Sequence, residues 1–284
     1  MASVNSATGP SSPSNSKSTL QDGLLLAPGE LPVQAGFTLR GGGVSEGSCA
    51  SLNLALHVDD NPAAVHENRR RLVEQAGLAE APRWLRQVHG TRVVHGDAVQ
   101  PDLTEADAVW SDRPGQVCAV LIADCVPVLL ADRSGRCVAA VHAGWRGLAA
   151  GIIPQTIATL PAPAAALIAH IGPCIGRDAY QVGPEVIQQI ARAGVEPVCQ
   201  PSAPTSTTVP AAASAGDRAV DRAPDRSPRF QLDLAATAHA ILLKAGVGQV
   251  STEDRCTCSD PSRFFSYRRD GITGRFAAYV ACRG

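Results

Sequence analysis

The chain has 284 residues, 45% of them hydrophobic, and a formal net charge of −1. This is enough to bury a large core, as one big domain or two smaller ones, and the near-neutral balance gives no electrostatic reason to expect a nucleic acid or a membrane surface as partner. No apolar run approaches the ~18–20 residues of a membrane-spanning helix.

In chain order, residues 1–23 come first. They lack an apolar h-region, are rich in Ser, Asn, Gly and Pro, and read as a disordered tail rather than a secretory signal. The domain then runs over 24–284. LPVQAGFTLRGGGVSEGS looks like a strand entering a Gly-rich loop. NPAAVHENRRRLVEQAGL reads as a helix with Val65, Leu72, Val73 and Ala76 as its apolar stripe and Gly77 as its C-terminal cap. RWLRQVHGTRVVHG is strand-like around a loop. Residues 106–143 form a strand-rich centre, with Val117–Ala123, Val126–Leu130 and Cys137–Ala143 as strands and Asp132-Arg133-Ser134-Gly135 as a turn. Pro127 leans the second of these strands towards an edge position.

GLAAGIIPQTIATL follows as a helix whose interior contains Pro154. ALIAHIGPCIG is an apolar strand ending in a Gly/Pro loop, and GPEVIQQIARAG is a helix with Pro184 in its first turn. Residues 200–228 are nearly all Pro, Ala, Ser, Thr and charge, which predicts a flexible insertion. DLAATAHAILLKAGV is a helix capped by Asp233, with Leu234, Ala238, Ile241, Leu242 and Ala245 on one side. RFFSYRRDGITGRFAAYVACR closes the chain as a hairpin with turn residues Asp270-Gly271 and Thr273-Gly274. Strands alternating with helices argue α/β or α+β. Nine cysteines, an odd number without disulfide-scaffold spacing, suit reduced thiols in a cytoplasmic protein.

Two residues of the centre carry chemistry. If the turn closes so that Ala131 pairs with Arg136, paired numbers add up to 267 and Cys125 lies opposite His142, with Cβ atoms about 4.5–5.5 Å apart. A metal ion can bridge that gap, whereas a three-residue loop would send the two side chains to opposite faces. The bland alternative is a core pair in which Cys acts as a small hydrophobe. His89, in the loop RQVHGTR, is a third potential donor. His, Cys and His suit zinc, and three protein ligands leave a fourth position for water. No HExxH or paired CxxC motif occurs. Cys256 and Cys258, in DRCTC, compete weakly as a CxC pair. Arg40 precedes three glycines in a loop that could meet an anion, and Arg146, Arg268 and Arg269 end strand-like runs. Asn53 and His57 alternate with apolar residues and either line a cleft together or face solvent together.

The segments SLNLALHVDDNP, ENRRRL, WLRQVHGTRV, ADAVWSDRPG, ADCVPVLLAD, AAVHAGWRGLAAGI, IGPCIG, DRCTC and FFSYRRDGITGR together closely resemble the YfiH-like family, in order, from Phe37 to Arg283. Its members have been called polyphenol oxidase or laccase-domain proteins, peptidoglycan editing factors and purine nucleoside phosphorylases. The resemblance implies a single α/β domain of the layered α/β/β/α type with mixed sheets. It also implies a zinc site, with copper as the other candidate ion, on His89, Cys125 and His142. The implied activity is phosphorolysis of adenosine, inosine and methylthioadenosine to the sugar 1-phosphate and free base, with adenosine deamination as a companion. Purine nucleosides and phosphate are then the partners.

On that reading Arg40 and Arg146 are candidates for phosphate, Asn53 and Asp124 for positioning substrate, and Asp124 joins the three ligands in the catalytic set. The HxE signature of zinc deaminases is not matched, since HAGW has no Glu at the required place. The 200–228 insertion and Cys258 lie outside the shared pattern. Two rival reactions follow from the same residues. A multicopper oxidase needs about ten His ligands, and this chain has seven and no HxH. A metal-free hydrolase would use Cys125 as nucleophile and His142 as base on a cell-wall precursor. A non-enzymatic binding module is the third alternative.

Overall fold

The computed structural model describes residues 19–21, 23–28, 31–202 and 228–282. Of the tail expected over 1–23, residues 1–18 and 22 lie outside the described residues, as do residues 203–227 of the insertion expected at 200–228. Within the expected tail, Thr19–Gln21 is described and forms strand β1.

Two sheets form the centre. The five-stranded sheet has the order β1, β2 (Leu24–Leu26), β3 (Gln34–Thr38), β14 (Phe276–Ala281), β6 (Val117–Ile122). The six-stranded sheet has the order β13 (Gln249–Thr252), β9 (Leu167–Ile171), β7 (Val126–Asp132), β8 (Val138–Ala143), β5 (Ala108–Ser111), β4 (Val93–His95). It is mixed, because β13 runs parallel to β9 and β4 to β5 while the other pairs are antiparallel. A small third sheet has the order β10 (Gln181–Val182), β12 (Phe230–Leu232), β11 (Cys199–Pro201).

Alternation along the strands decides the layering. Cys118, Val120 and Ile122 of β6 pack with Leu129 and Ala131 of β7 and Val138 and Ala140 of β8, between the two sheets. Val117, Ala119 and Leu121 face the other way, towards helix α1 (Pro62–Ala76). Val126, Val128 and Leu130 face helices α2 (Trp145–Ala150), α3 (Ile152–Thr159), α4 (Pro184–Arg192) and α5 (Leu234–Lys244). The result is the α/β/β/α sandwich that the resemblance implies. Among the described residues no helix is long and apolar enough to cross a membrane.

The two expected caps hold: Gly77 ends α1 at φ 58°, and Asp233 accepts from Ala236 N–H at the start of α5. Asn61, not singled out in the sequence, caps the start of α1 by accepting from Ala63 N–H. Pro154 breaks nothing: Gly151 at φ 90° separates α2 from α3, and Pro154 is the third residue of α3, where no intrahelical N–H bond is lost.

Four expectations are corrected. First, GLAAGIIPQTIATL is two helices, α2 and α3, divided at Gly151, rather than one. Second, Val126 pairs with Ala143 and Ala131 with Val138, so paired numbers add up to 269 rather than 267. The cause is Asp132, which stays in the ladder through Asp132 N–H to Cys137 O (2.9 Å). Its carboxylate also accepts from Cys137 N–H (2.7 Å) and Ser134 N–H (3.2 Å), so the four-residue loop is 133–136. Third, β7 is central, between β9 and β8. Pro127 is tolerated because it sits at the strand end, where the β9 ladder has finished at Ile171 and its carbonyl accepts from Gly172 N–H. Fourth, the C-terminal segment is no hairpin. Ser266 caps a single helical turn, α6 (Tyr267–Asp270), and β14 then pairs with β3 and β6 instead of with its own upstream residues.

Candidate active site

The shift in register from 267 to 269 moves the partner of Cys125 by two residues, so Cys125 stands across from Gly144 and His142 from Pro127. A two-residue shift preserves the face. Cys125 and His142 therefore still lie on the same side, the one facing the five-stranded sheet, at the open end between the layers.

His89 joins them from the loop before β4. Its backbone is in the left-handed region (φ 59°), a conformation that needs outside support in a non-glycine residue. Asp107 supplies it. This carboxylate is fully buried, accepts from His89 N–H (2.9 Å), Gly90 N–H (2.7 Å) and Val88 N–H (3.3 Å), and lies 2.8 Å from His142 Nδ1. One acid thus fixes both histidines. A carboxylate accepts, so the His142 Nδ1 carries the proton and Nε2 is left as a lone-pair donor, the arrangement common behind metal-ligating histidines.

Cys125 Sγ is 3.8 Å from His89 Nε2, the two imidazoles meet edge to face with centroids 4.8 Å apart, and the three donor atoms all lie within 4.8 Å of one another. Zinc–nitrogen and zinc–sulfur bonds of about 2.0–2.3 Å put tetrahedral ligands roughly 3.3–3.8 Å apart, so this donor set fits an ion after only small side-chain adjustment. Gly144 leaves the room: a Cβ there would lie 2.9 Å from Cys125 Sγ and 3.0 Å from His89 Cδ2. Burial pushes the Cys125 thiol up, but His142 and His89 outweigh it and bring it down to about 6. Burial likewise opposes charge on His142, and Cys125 and Asp107 overcome it, taking the imidazole up to about 9. Without an ion the two residues therefore form a thiolate–imidazolium pair at neutral pH, and a metal would take the place of the His142 Nε2 proton.

These donors open on a cavity of about 470 Å³. Its walls include Leu121, Trp145, Ile175, Tyr180 and Tyr267, with His57, Gln87, Asp124 and three arginines, Arg146, Arg268 and Arg275. Asp124 has a strained backbone (φ 93°), and both carboxylate oxygens are committed, Oδ1 to Thr257 Oγ1 and Oδ2 to Arg268 N–H, each at 2.6 Å. It therefore locks α6 and the 257 loop against the strand end that presents Cys125. Gln87 is committed too, pairing through its amide with the backbone of Leu121.

The structure brings Arg146 to the cavity but not Arg40 or Asn53. The Arg40 guanidinium bonds to Ala50 O (2.6 Å), lies 3.8 Å from Asp270 and stacks on Phe265. Asn53 is fully buried. Its amide joins Ala55 and Asp60, and its carbonyl accepts from Arg275 N–H, so it braces the cavity wall from behind. His57 reaches the cavity alone, because strand-like alternation does not persist through SLNLALH. Cys256 accepts from Gly176 N–H (3.1 Å), and among the described residues neither it nor Cys258 joins a cluster of potential metal ligands. Asp107 was missed as a functional residue. Its signal, a carboxylate between Ala106 and Ala108 in an apolar run, was on the page. Tyr180 and Arg275 had no comparable signal.

Comparison with known proteins agrees with this picture. A family model described as multi-copper polyphenol oxidoreductase laccase matches residues 34–283. A Pseudomonas aeruginosa protein named purine nucleoside phosphorylase is 44% identical over 253 residues, covering 89% of this chain and 95% of its own. Escherichia coli YfiH, also named purine nucleoside phosphorylase, is 39% identical, covering 87% and 93%. Among solved structures, a Neisseria meningitidis protein superposes with a TM-score of 0.77 at 38% identity, covering 92% of this chain and all of its own. YlmD from Geobacillus stearothermophilus does so with a TM-score of 0.77 at 30% identity, covering 95% and 100%.

Proposed function

The chain belongs to the YfiH-like family, whose model carries the laccase description, and from that membership and the cavity we propose that it is a zinc-dependent purine nucleoside phosphorylase acting on adenosine, inosine and methylthioadenosine. In this reaction a phosphate oxygen forms a bond to the anomeric carbon as the glycosidic C–N bond breaks. The bonding pair leaves with the purine, which takes up a proton. The single observation that carries the reading is the His89–Cys125–His142 set in a cavity whose lining also brings together three aromatic rings and three arginines. Aromatic walls suit a purine face, and arginines suit an anionic co-substrate.

A zinc ion held by these three residues would supply a Lewis acid with an open position. Zinc suits the site better than copper. A blue-copper centre adds a weak axial thioether or amide, yet the only methionine is Met1 and Gln87 is committed to Leu121. Phosphorolysis is favoured over adenosine deamination because deamination needs a carboxylate free to move protons, and both oxygens of Asp124, the only acid lining the cavity among the described residues, are occupied. A reducing cytoplasm suits a thiolate ligand and the free cysteines. The lowered Cys125 thiol is also the one observation in favour of the Cys–His hydrolase.

The test is product analysis by chromatography with inosine, with and without phosphate. The expected result is hypoxanthine and ribose 1-phosphate, formed only with phosphate and lost on chelation. Free ribose at an undiminished rate in phosphate-free buffer would overturn the reading. Cleavage of a cell-wall precursor peptide without base release, insensitive to chelation, would favour the hydrolase.

A further inference from the structure

Several arginines outside the cavity are ion-paired. Arg69 is bidentate to Asp102, Arg113 to Glu80, and Arg255 and Arg269 pair with Glu253 and Asp270. Acidic residues are not scarce, with 26 against 25 basic ones. Yet among the described residues no carboxylate lies within ion-pair distance of Arg146, Arg268 or Arg275.

Each of these three guanidiniums instead lies over an aromatic ring of the same cavity: Arg146 over Trp145 at 4.4 Å, Arg268 over Tyr180 at 4.8 Å and Arg275 over Tyr267 at 5.9 Å. Stacking covers the flat face and leaves the N–H edge for a ligand. Arg268 and Arg275 are further pinned by carbonyls, Arg268 Nη1 to Gln181 O (3.1 Å) and Arg275 Nη1 to Thr273 O (2.7 Å) and Gly274 O (3.0 Å). Carbonyl dipoles orient a guanidinium without neutralising it. Burial already works against the Arg275 charge. Arg275 is partly desolvated, with Cys125 and Asp124 favouring its charge from a distance, while Arg146 and Arg268 are exposed at the cavity mouth; none has a carboxylate at ion-pair distance, and an arriving anion would supply that close partner.

We infer that Arg146, Arg268 and Arg275 form an oxyanion subsite for a phosphate group in the cavity that the His89–Cys125–His142 set also lines. On the phosphorolysis reading, on which the choice of inorganic phosphate rests, this is where the attacking phosphate is held. A nucleoside monophosphate offers the same chemistry from another source. The subsite replaces Arg40, which is tied up elsewhere, as the phosphate contact.

Calorimetric titration of the metal-loaded protein with inorganic phosphate, and separately with adenosine monophosphate, tests the inference directly. Arg268→Gln and Arg146→Gln should each weaken phosphate binding about tenfold or more, the size of one charge-assisted hydrogen bond. Among the described residues Arg146 makes no side-chain hydrogen bond, so its variant keeps the test valid if Arg268→Gln fails to fold. Arg177→Gln, on a different cavity, is the control and should bind as wild type. In the phosphorolysis assay the KM for phosphate should rise while that for inosine stays unchanged. If monophosphate binds with the same arginine dependence and inorganic phosphate does not, the subsite stands and the phosphorolysis reading falls. If the variants bind both anions as wild type does, or wild type binds neither, the subsite is wrong, whatever the activity shows.

Discussion

His142 and His170 occupy nearly equivalent places. Both lie on strands flanking β7, both point into the gap between the sheets, and both are almost fully buried, at 4% and 1% exposure. Their neighbours differ. His142 faces Asp107 and Cys125 and rises to about 9, while His170 has the Ser251 hydroxyl at 2.9 Å and the Phe37 ring, and burial pushes it down to about 4. Burial alone makes a histidine a neutral core residue. A buried carboxylate on one side and a thiolate on the other favour a positive charge there, the imidazolium proton or a metal ion in its place.

The contrast is broken most severely at the ligands. Cys125→Ala should drop zinc from about one ion per chain to near zero and lower turnover by more than about a hundredfold, beyond the loss expected from an outer-sphere change. His170→Asn should leave both unchanged. Elemental analysis beside an activity assay measures this, and wild-type zinc in Cys125→Ala would refute the assignment.

Next comes the residue that separates the two histidines. Asp107→Asn keeps the shape but removes the charge, and should weaken metal affinity about 10–100-fold in chelator competition. Unchanged affinity would mean that the histidines are oriented without it. Gly144→Ala places a methyl 2.9 Å from Cys125 Sγ. Overpacking of this kind is worth about 1–3 kcal/mol, so the same competition assay should show roughly a tenfold loss with little change in fold by circular dichroism.

The smallest effect belongs to His170. Its folded value lies below the ordinary 6.5, so below that pH the unfolded chain binds more protons than the folded one. This contribution to stability is complete above about 6.5 and is lost as pH falls towards 4. From about pH 7 to about pH 5.5 the loss should be about 1 kcal/mol. Denaturant titrations at the two pH values measure it, and His170→Asn should flatten the difference. An equal slope in the variant would assign the acid sensitivity to other groups.

Much of this was legible beforehand, and unevenly so. Caps at Gly77 and Asp233 and the strands of the centre depend on neighbours a few residues away, and the structure has them. The pairing of Cys125 with His142 was correct in face and wrong in register by two residues, because Asp132 side-chain bonds hold one more pair in the ladder than the turn signal suggests. The final hairpin failed because β14 finds better partners in β3 and β6, which lie far away in the chain.

What the sequence determined by itself is what local chemistry and pattern can carry: the α/β class, the helix ends, the strands of the core, and three donor residues in motifs specific enough to identify a family. What only the tertiary structure decided is which groups stand across the gap between the two sheets. Asp107 reaches both His89 and His142, and Asp124 meets Thr257 and Arg268 across more than a hundred residues of chain. Arg275 lines the cavity while Arg40, with the more suggestive glycine-rich setting, is bound to backbone carbonyls outside it. The physical reason is that a ligand's usefulness depends on charge, desolvation and distance, and in a sandwich these are set by strand register and layer packing rather than by position in the chain.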